Sequence, residues 1–119
     1  MKREVNVPDL VRQFADSVAT QTMCIAQGDA RTGNRHAKRR IRIFEKLRGL
    51  GDAGRDALLP LLRHERADVR TTAAAYLLRY RTAEARAVLE AEARGKGFDA
   101  FAAQEALKRW DEGTWSLDP

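Results

Sequence analysis

The 119-residue chain predicts an all-α fold, an α-α superhelix (solenoid) of three stacked antiparallel helical hairpins, six helices in all. Three observations predict it. Apolar residues recur three and four apart through most of the chain, which places a stripe along one face of a helix. β-branched residues are scattered, and no alternating apolar–polar run of strand length occurs. The apolar-periodic segments are separated by short polar breaks, and hairpin centres recur every 30 to 40 residues or so, the period of helical-hairpin arrays. Composition agrees: the chain has only 3 prolines, and 33% of its residues are charged.

The first helix is expected over about residues 8–26. Pro8 fits a first turn because its missing N–H has no intrahelical partner there. Leu10, Val11, Phe14, Val18, Gln21 or Thr22, and Ile25 form its buried stripe, and Gly28 supplies a terminating residue free to adopt positive φ. Residues 29–33 read as a connection. The second helix follows over about 34–48, with Ala37, Ile41, Phe44 and Leu47 on its apolar face and Ile43 at the edge. Gly49-Leu50-Gly51 closes it, and Asp52 reads as the N-cap of a third helix over about 53–63.

Pro60 lies inside that third helix. It removes a hydrogen bond to the Asp56 carbonyl and kinks the helix, or else it marks a helix that starts later, near Leu59. Residues 58–80, LLPLLRHERADVRTTAAAYLLRY, hold two apolar runs, Leu58-Leu59-Leu61-Leu62 and Val69-Ala73-Ala74-Leu77-Leu78. The break between them is short enough to force an antiparallel turn. Asp68 reads as the N-cap of the fourth helix, about 68–79. Thr82 reads as the cap of the fifth, which ends before Gly95-Lys96-Gly97. The sixth, about 98–112, carries Phe101, Ala103, Ala106, Leu107 and Trp110, and Gly113 stops it. Trp115 and Leu117 in the tail are expected to fold back out of water. The hairpins therefore span about 7–49, 52–80 and 82–112, with a tail 113–119, as one domain over 1–119.

Pro60, followed by Asp68-Val69-Arg70, Ala73-Ala74 and Leu77-Leu78, resembles a HEAT repeat of the armadillo-type superfamily. Asn34, Gly54-Arg55, Leu58 to Leu62, Asp68-Val69-Arg70 and Ala106-Leu107-Trp110 together also resemble a family of short, uncharacterised bacterial HEAT-like proteins. The resemblance implies structural roles for Pro60, Asp68 and Arg70. The last would bind a carbonyl or carboxylate near the turn, for example Asp52 or the Asp29 loop. It implies too that second helices line a concave groove, and it hands over no active site.

No catalytic constellation emerges, and the chain reads as a non-enzyme without cofactor or metal. His36 and His64 lie on different helices without a second ligand at zinc spacing. The glycines at 49, 51 and 54 follow no strand, so they punctuate helices and do not form a phosphate loop. Ser17 and Ser116 lack the setting of an activated nucleophile. Cys24, the single cysteine, sits among apolar neighbours and reads as a buried small hydrophobe. One cysteine excludes an internal disulfide and suits a reducing compartment. The first residues, MKREVNVPDLV, lack the apolar core of a signal peptide, and no segment has the length of a membrane span. The expected location is the cytoplasm, away from membranes.

Charge is where function is expected. The net charge is +5, yet residues 28–50 alone hold eight Lys or Arg against Asp29 and Glu45. Arg35, Arg39, Arg42 and Lys46 are spaced four, three and four apart and form a basic stripe about 16 Å long. Only Glu45 lies on the same helix, so the usual i,i+4 neutralisation is missing. Such a stripe is either a solvated helix face or a surface for a macromolecular partner. The favoured partner is an acidic protein, in the manner of a regulatory or immunity-type module. The alternative is a nucleic-acid backbone. The stripe holds no aromatic residue on which bases would stack. Tyr76, Tyr80 and Trp110 read as packing, and Trp115 as either packing or a partner contact.

Overall fold

A computed structural model describes residues 6–118. The described residues fold into six α-helices and a 3-10 helix, with no strand among them. The chain divides between Leu58 and Leu59 into two compact units. Expectations about residues 1–5 and about Pro119 lie outside the described residues.

The first unit is built on a long hairpin of α1, Val7–Ala26, and α2, Ala30–Gly49. Asn6 caps α1 by accepting from the Asp9 N–H at 3.0 Å. At the other end Gly28 takes φ 78°, and its N–H donates to the Ile25 carbonyl while that of Asp29 donates to Cys24. These are the paired bonds of a Schellman closure. Asp29 is already the N-cap of α2, its carboxylate accepting from the Thr32 N–H at 3.1 Å. The expected connection over 29–33 therefore shrinks to three residues, and α2 starts at Ala30, not Asn34. Gly33, which signals a break in the sequence, is instead a buried helical position where α1 approaches.

Two apolar assignments shift by one or two residues. In α1 the inward stripe is Leu10, Phe14, Ser17, Val18 and Cys24, whereas Ile25 is 46% exposed. Cys24 is buried, as its neighbours suggested. In α2 the buried residues are Gly33, Ile43, Phe44 and Leu47, and Ile41 is 48% exposed. Each residue advances about 100° around a helix. The buried arc through 33, 40, 43, 44 and 47 thus leaves Ile41 well to one side. Arg40 lies along that arc half-buried, its Nη1 donating to Gln21 at 2.7 Å.

A short helix, α3, Asp52–Asp56, closes the first unit against α2. Its N-cap is Gly51 at φ 74°, so Asp52 is a first-turn residue and not the cap. The helix does not continue to Arg63. It stops at Asp56, and a separate 3-10 helix spans Leu59–Arg63. Pro60 sits in the first turn of that 3-10 segment, so the kinked continuous helix is absent and a separate helix does start at Leu59, as the alternative reading expects, though it is 3-10 and not α. Without an N–H, and with its ring against the preceding turn, it forbids continuation from α3.

The second unit centres on α4, Ala67–Leu77, packed by the 3-10 helix, by α5, Thr82–Ala93, and by α6, Phe98–Glu112. Buried α4 residues include Val69, Thr71, Ala73, Ala74, Tyr76 and Leu77, which leave almost no solvent face. Two adjacent alanines let neighbours approach the backbone closely. Arg66, not Asp68, is the N-cap of α4, and Arg81, not Thr82, that of α5. Asp68 still serves the helix start: its carboxylate accepts from the Val69 N–H at 2.8 Å and takes two bonds from Arg66 at 3.0 Å each. Gly113 takes φ 75° and ends α6.

The tail folds back as expected. The Trp115 Nε1 donates to the Ala75 carbonyl at 2.8 Å, its ring meets Trp110 edge-on at 5.3 Å, and Arg79 donates to the Asp118 carbonyl. Leu117 remains 39% exposed. The sixth helix departs from expectation more: Ala100 and Ala103 are its buried residues, and Phe101 points outward.

Candidate interaction surface on the second helix

Arg35, Arg39, Arg42 and Lys46 all lie exposed on one face of α2. Because the helix begins at Ala30, Arg31 joins the same face, and Lys38, one turn before Arg42, lies on it too, both exposed. Sequence reasoning missed Arg31 by starting the helix four residues late, and left out Lys38 although it lay within the expected helix. The Asp29 cap was the signal that would have found Arg31. The face thus holds six cations between residues 31 and 46, over about 22 Å of helix.

Its electrostatics are one-signed. None of the six makes an ion pair with a carboxylate among the described residues. Arg39 donates to the Gln13 side chain of α1 at 3.2 Å, a neutral acceptor that orients the guanidinium without cancelling its charge. The Asp29 carboxyl is held below its usual range by its hydrogen bonds with Thr32, and the nearby Arg35 adds to the effect. Glu45 is the sole acid within α2 and points to solvent. Exposed Ile41, three residues past Lys38, borders the cations with an apolar side chain.

The remaining residues singled out in the sequence lie elsewhere. Arg70 clasps the turn before α4: Nη1 donates to the His64 and Glu65 carbonyls at 2.8 and 3.1 Å, and Nε to Glu92 of α5 at 2.7 Å. The carbonyls are of the expected kind, but the carboxylate is Glu92 and neither Asp52 nor the Asp29 loop. Asp68, Arg70 and Pro60 accordingly shape the second unit. Close to this clasp, burial raises the Asp99 carboxyl above its usual range, with Asp68 and Glu92 adding repulsion. Among the described residues no three His, Cys, Asp or Glu side chains gather as a metal site, and no helix is long and apolar enough to cross a membrane.

The comparisons with known proteins concern fold and family. The crystal structure of the protein RPA1889 from Rhodopseudomonas palustris CGA009 is similar over 95% of this chain and 94% of that one, with a TM-score of 0.87 and 29% sequence identity. No curated protein matches the chain. Residues 8–111 match the family model described as "Domain of unknown function (DUF2019)", and the chain belongs to that family.

Proposed function

We propose that the protein is a non-catalytic interaction module of helical-repeat type that binds an acidic protein through the basic face of α2. The observation that carries this reading is the set of six exposed cations, Arg31, Arg35, Lys38, Arg39, Arg42 and Lys46, none of which makes an ion pair among the described residues. A helix stabilised for its own sake places Glu four residues from Lys or Arg. Repeated like charge is instead what steers and holds a surface of opposite sign. Exposed Ile41 beside the cations favours a protein surface, since a phosphate backbone gives an isoleucine nothing to bury against. The arrangement of Asp68 and Arg70 around the turn before α4 supports the HEAT-type reading of the second unit.

The test is affinity capture from the native host with wild type and with the Arg35→Glu, Arg39→Glu, Arg42→Glu triple variant. A specific acidic protein should be retained by wild type and lost by the variant, while the helical circular-dichroism signal stays unchanged. Equal retention by both would remove the face from consideration. A duplex DNA probe separates the nucleic-acid alternative: phosphate contacts give an affinity that falls linearly with salt on a double-logarithmic plot.

A further inference from the structure

We propose that the outer face of α6 is a self-association surface, on which a second copy of this chain docks antiparallel. The proposal rests on α6 and the tail alone, not on the reading of α2. Phe98 is 66% exposed and Phe101 58% exposed. They share one side of the helix with Ala102, Glu105 and Arg109, at spacings of three and four. This side and the tail, Thr114 to Leu117, bound a groove of about 520 Å³. Two phenylalanines and a leucine in water form an apolar patch of the kind that marks an interaction site.

Charge identifies the occupant. Glu105 and Arg109 stand four residues apart in the orientation that normally pairs on a helix, yet neither makes an ion pair among the described residues. Each face therefore offers one carboxylate and one guanidinium. An antiparallel crossing of two α6 helices centred on Leu107 sets Glu105 of each copy opposite Arg109 of the other, because both lie two residues from that centre. The same crossing lays the Phe98–Phe101 end of each helix against the C-terminal end of the other's α6, where its tail begins. A two-fold contact requires such self-complementarity. Residues 59–119 hold ten basic and ten acidic side chains, so two such units meet without net repulsion. Residues 1–58 carry the whole +5 excess and repel their like.

Sedimentation equilibrium on the full chain tests this. Wild type should be dimeric, and Phe101→Asp should raise the dimer Kd at least about tenfold, as loss of a buried anchor does. Glu105→Arg alone and Arg109→Glu alone should each weaken association, and an equimolar mixture of the two should restore it. In the mixed pair both contacts become opposite in sign, so this arm decides even if Phe101→Asp fails to fold. A wild type that stays monomeric to about 1 mM, where only about 4 kcal/mol is needed, would overturn the proposal and leave the face to another protein's helix. So would a mixture no more dimeric than its components.

Discussion

Two glycines give opposite expectations from one kind of measurement. A Cβ on Gly54 would lie 1.8 Å from the Leu47 carbonyl oxygen, on backbone that cannot move aside. Gly54→Ala should therefore separate α3 from α2 and destabilise by several kcal/mol, in the range of overpacked cores. At Gly33 the nearest atom, the Cys24 Cβ, would be 3.6 Å away, an ordinary contact. Gly33→Ala should stabilise by up to about 1 kcal/mol, the helix preference of alanine over glycine. Denaturant titration of both variants checks the pair. Asp68 and Asp99 make a second contrast. Asp68→Ala releases Arg66 and the Val69 N–H and should destabilise more than Glu65→Ala. Asp99 ionises above its usual 3.8 in the folded state, so folding favours the neutral acid. That contribution is full below the unfolded value and fades as pH rises through the raised one. Asp99→Asn should accordingly gain on wild type from acid toward neutral pH, read from melting temperatures at several pH values. At this scale the sequence was legible where one residue has one use, as with the positive φ of Gly28 and Gly113. It was not legible at Gly33 and Gly54, because a helix breaker, a plain helical glycine and a close-approach glycine look alike until the neighbouring helix is placed.

At the scale of the element, helix order followed from periodicity, but the 3-10 form of Leu59–Arg63 did not, and the ends mostly did not either. Asp29, Asp68 and Thr82 are all plausible caps by residue type, yet only Asp29 occupies a cap position, and it was read as part of a loop. Boundaries depend on which residue leaves helical φ and ψ first, and composition says little about that. The misplacement mattered most at α2, where it hid Arg31 from the basic face; Lys38 and Ile41 lay within the expected helix, and their sides were misjudged because the buried arc runs through 33, 43, 44 and 47. With the helix placed, like charges repeat at i,i+3 and i,i+4 from Arg31 to Lys46, an arrangement that opposes helix formation by about 0.2–0.5 kcal/mol per pair. Lys38→Glu converts its contacts with Arg35 and Arg42 to attractive ones and should stabilise the protein by about 0.5–1 kcal/mol. The same substitution should weaken binding to the partner captured by wild type. Stability gained together with binding lost is the signature of charges retained for recognition. A variant less stable than wild type would mean that Lys38 makes a supporting contact of its own.

The whole molecule is electrically lopsided. Residues 1–58 hold twelve basic and seven acidic side chains, and residues 59–119 are balanced. Overall charge and its concentration in one segment were readable from composition. Six of the eight basic residues of 28–50 share one exposed face because α1 and the inner arc of α2 take up the apolar residues, while half-buried Arg40 and Arg48 lie off it, Arg40 in a polar contact inward. Self-repulsion among exposed cations acts over a Debye length, which falls from about 30 Å at 0.01 M salt to about 8 Å at 0.15 M. The six cations span about 22 Å, so those at its two ends repel at the lower salt and are screened at the higher, while repulsion between neighbours is only weakened. The melting temperature of wild type should therefore rise with salt across this range. The Arg35→Glu, Arg39→Glu, Arg42→Glu variant, whose net charge falls from +5 to −1, should show a much flatter response. Differential scanning calorimetry in sodium chloride at fixed pH measures both. Equal salt responses would show that the α2 cations do not repel one another in the folded state, and that the face is neutralised by an arrangement other than ion pairing.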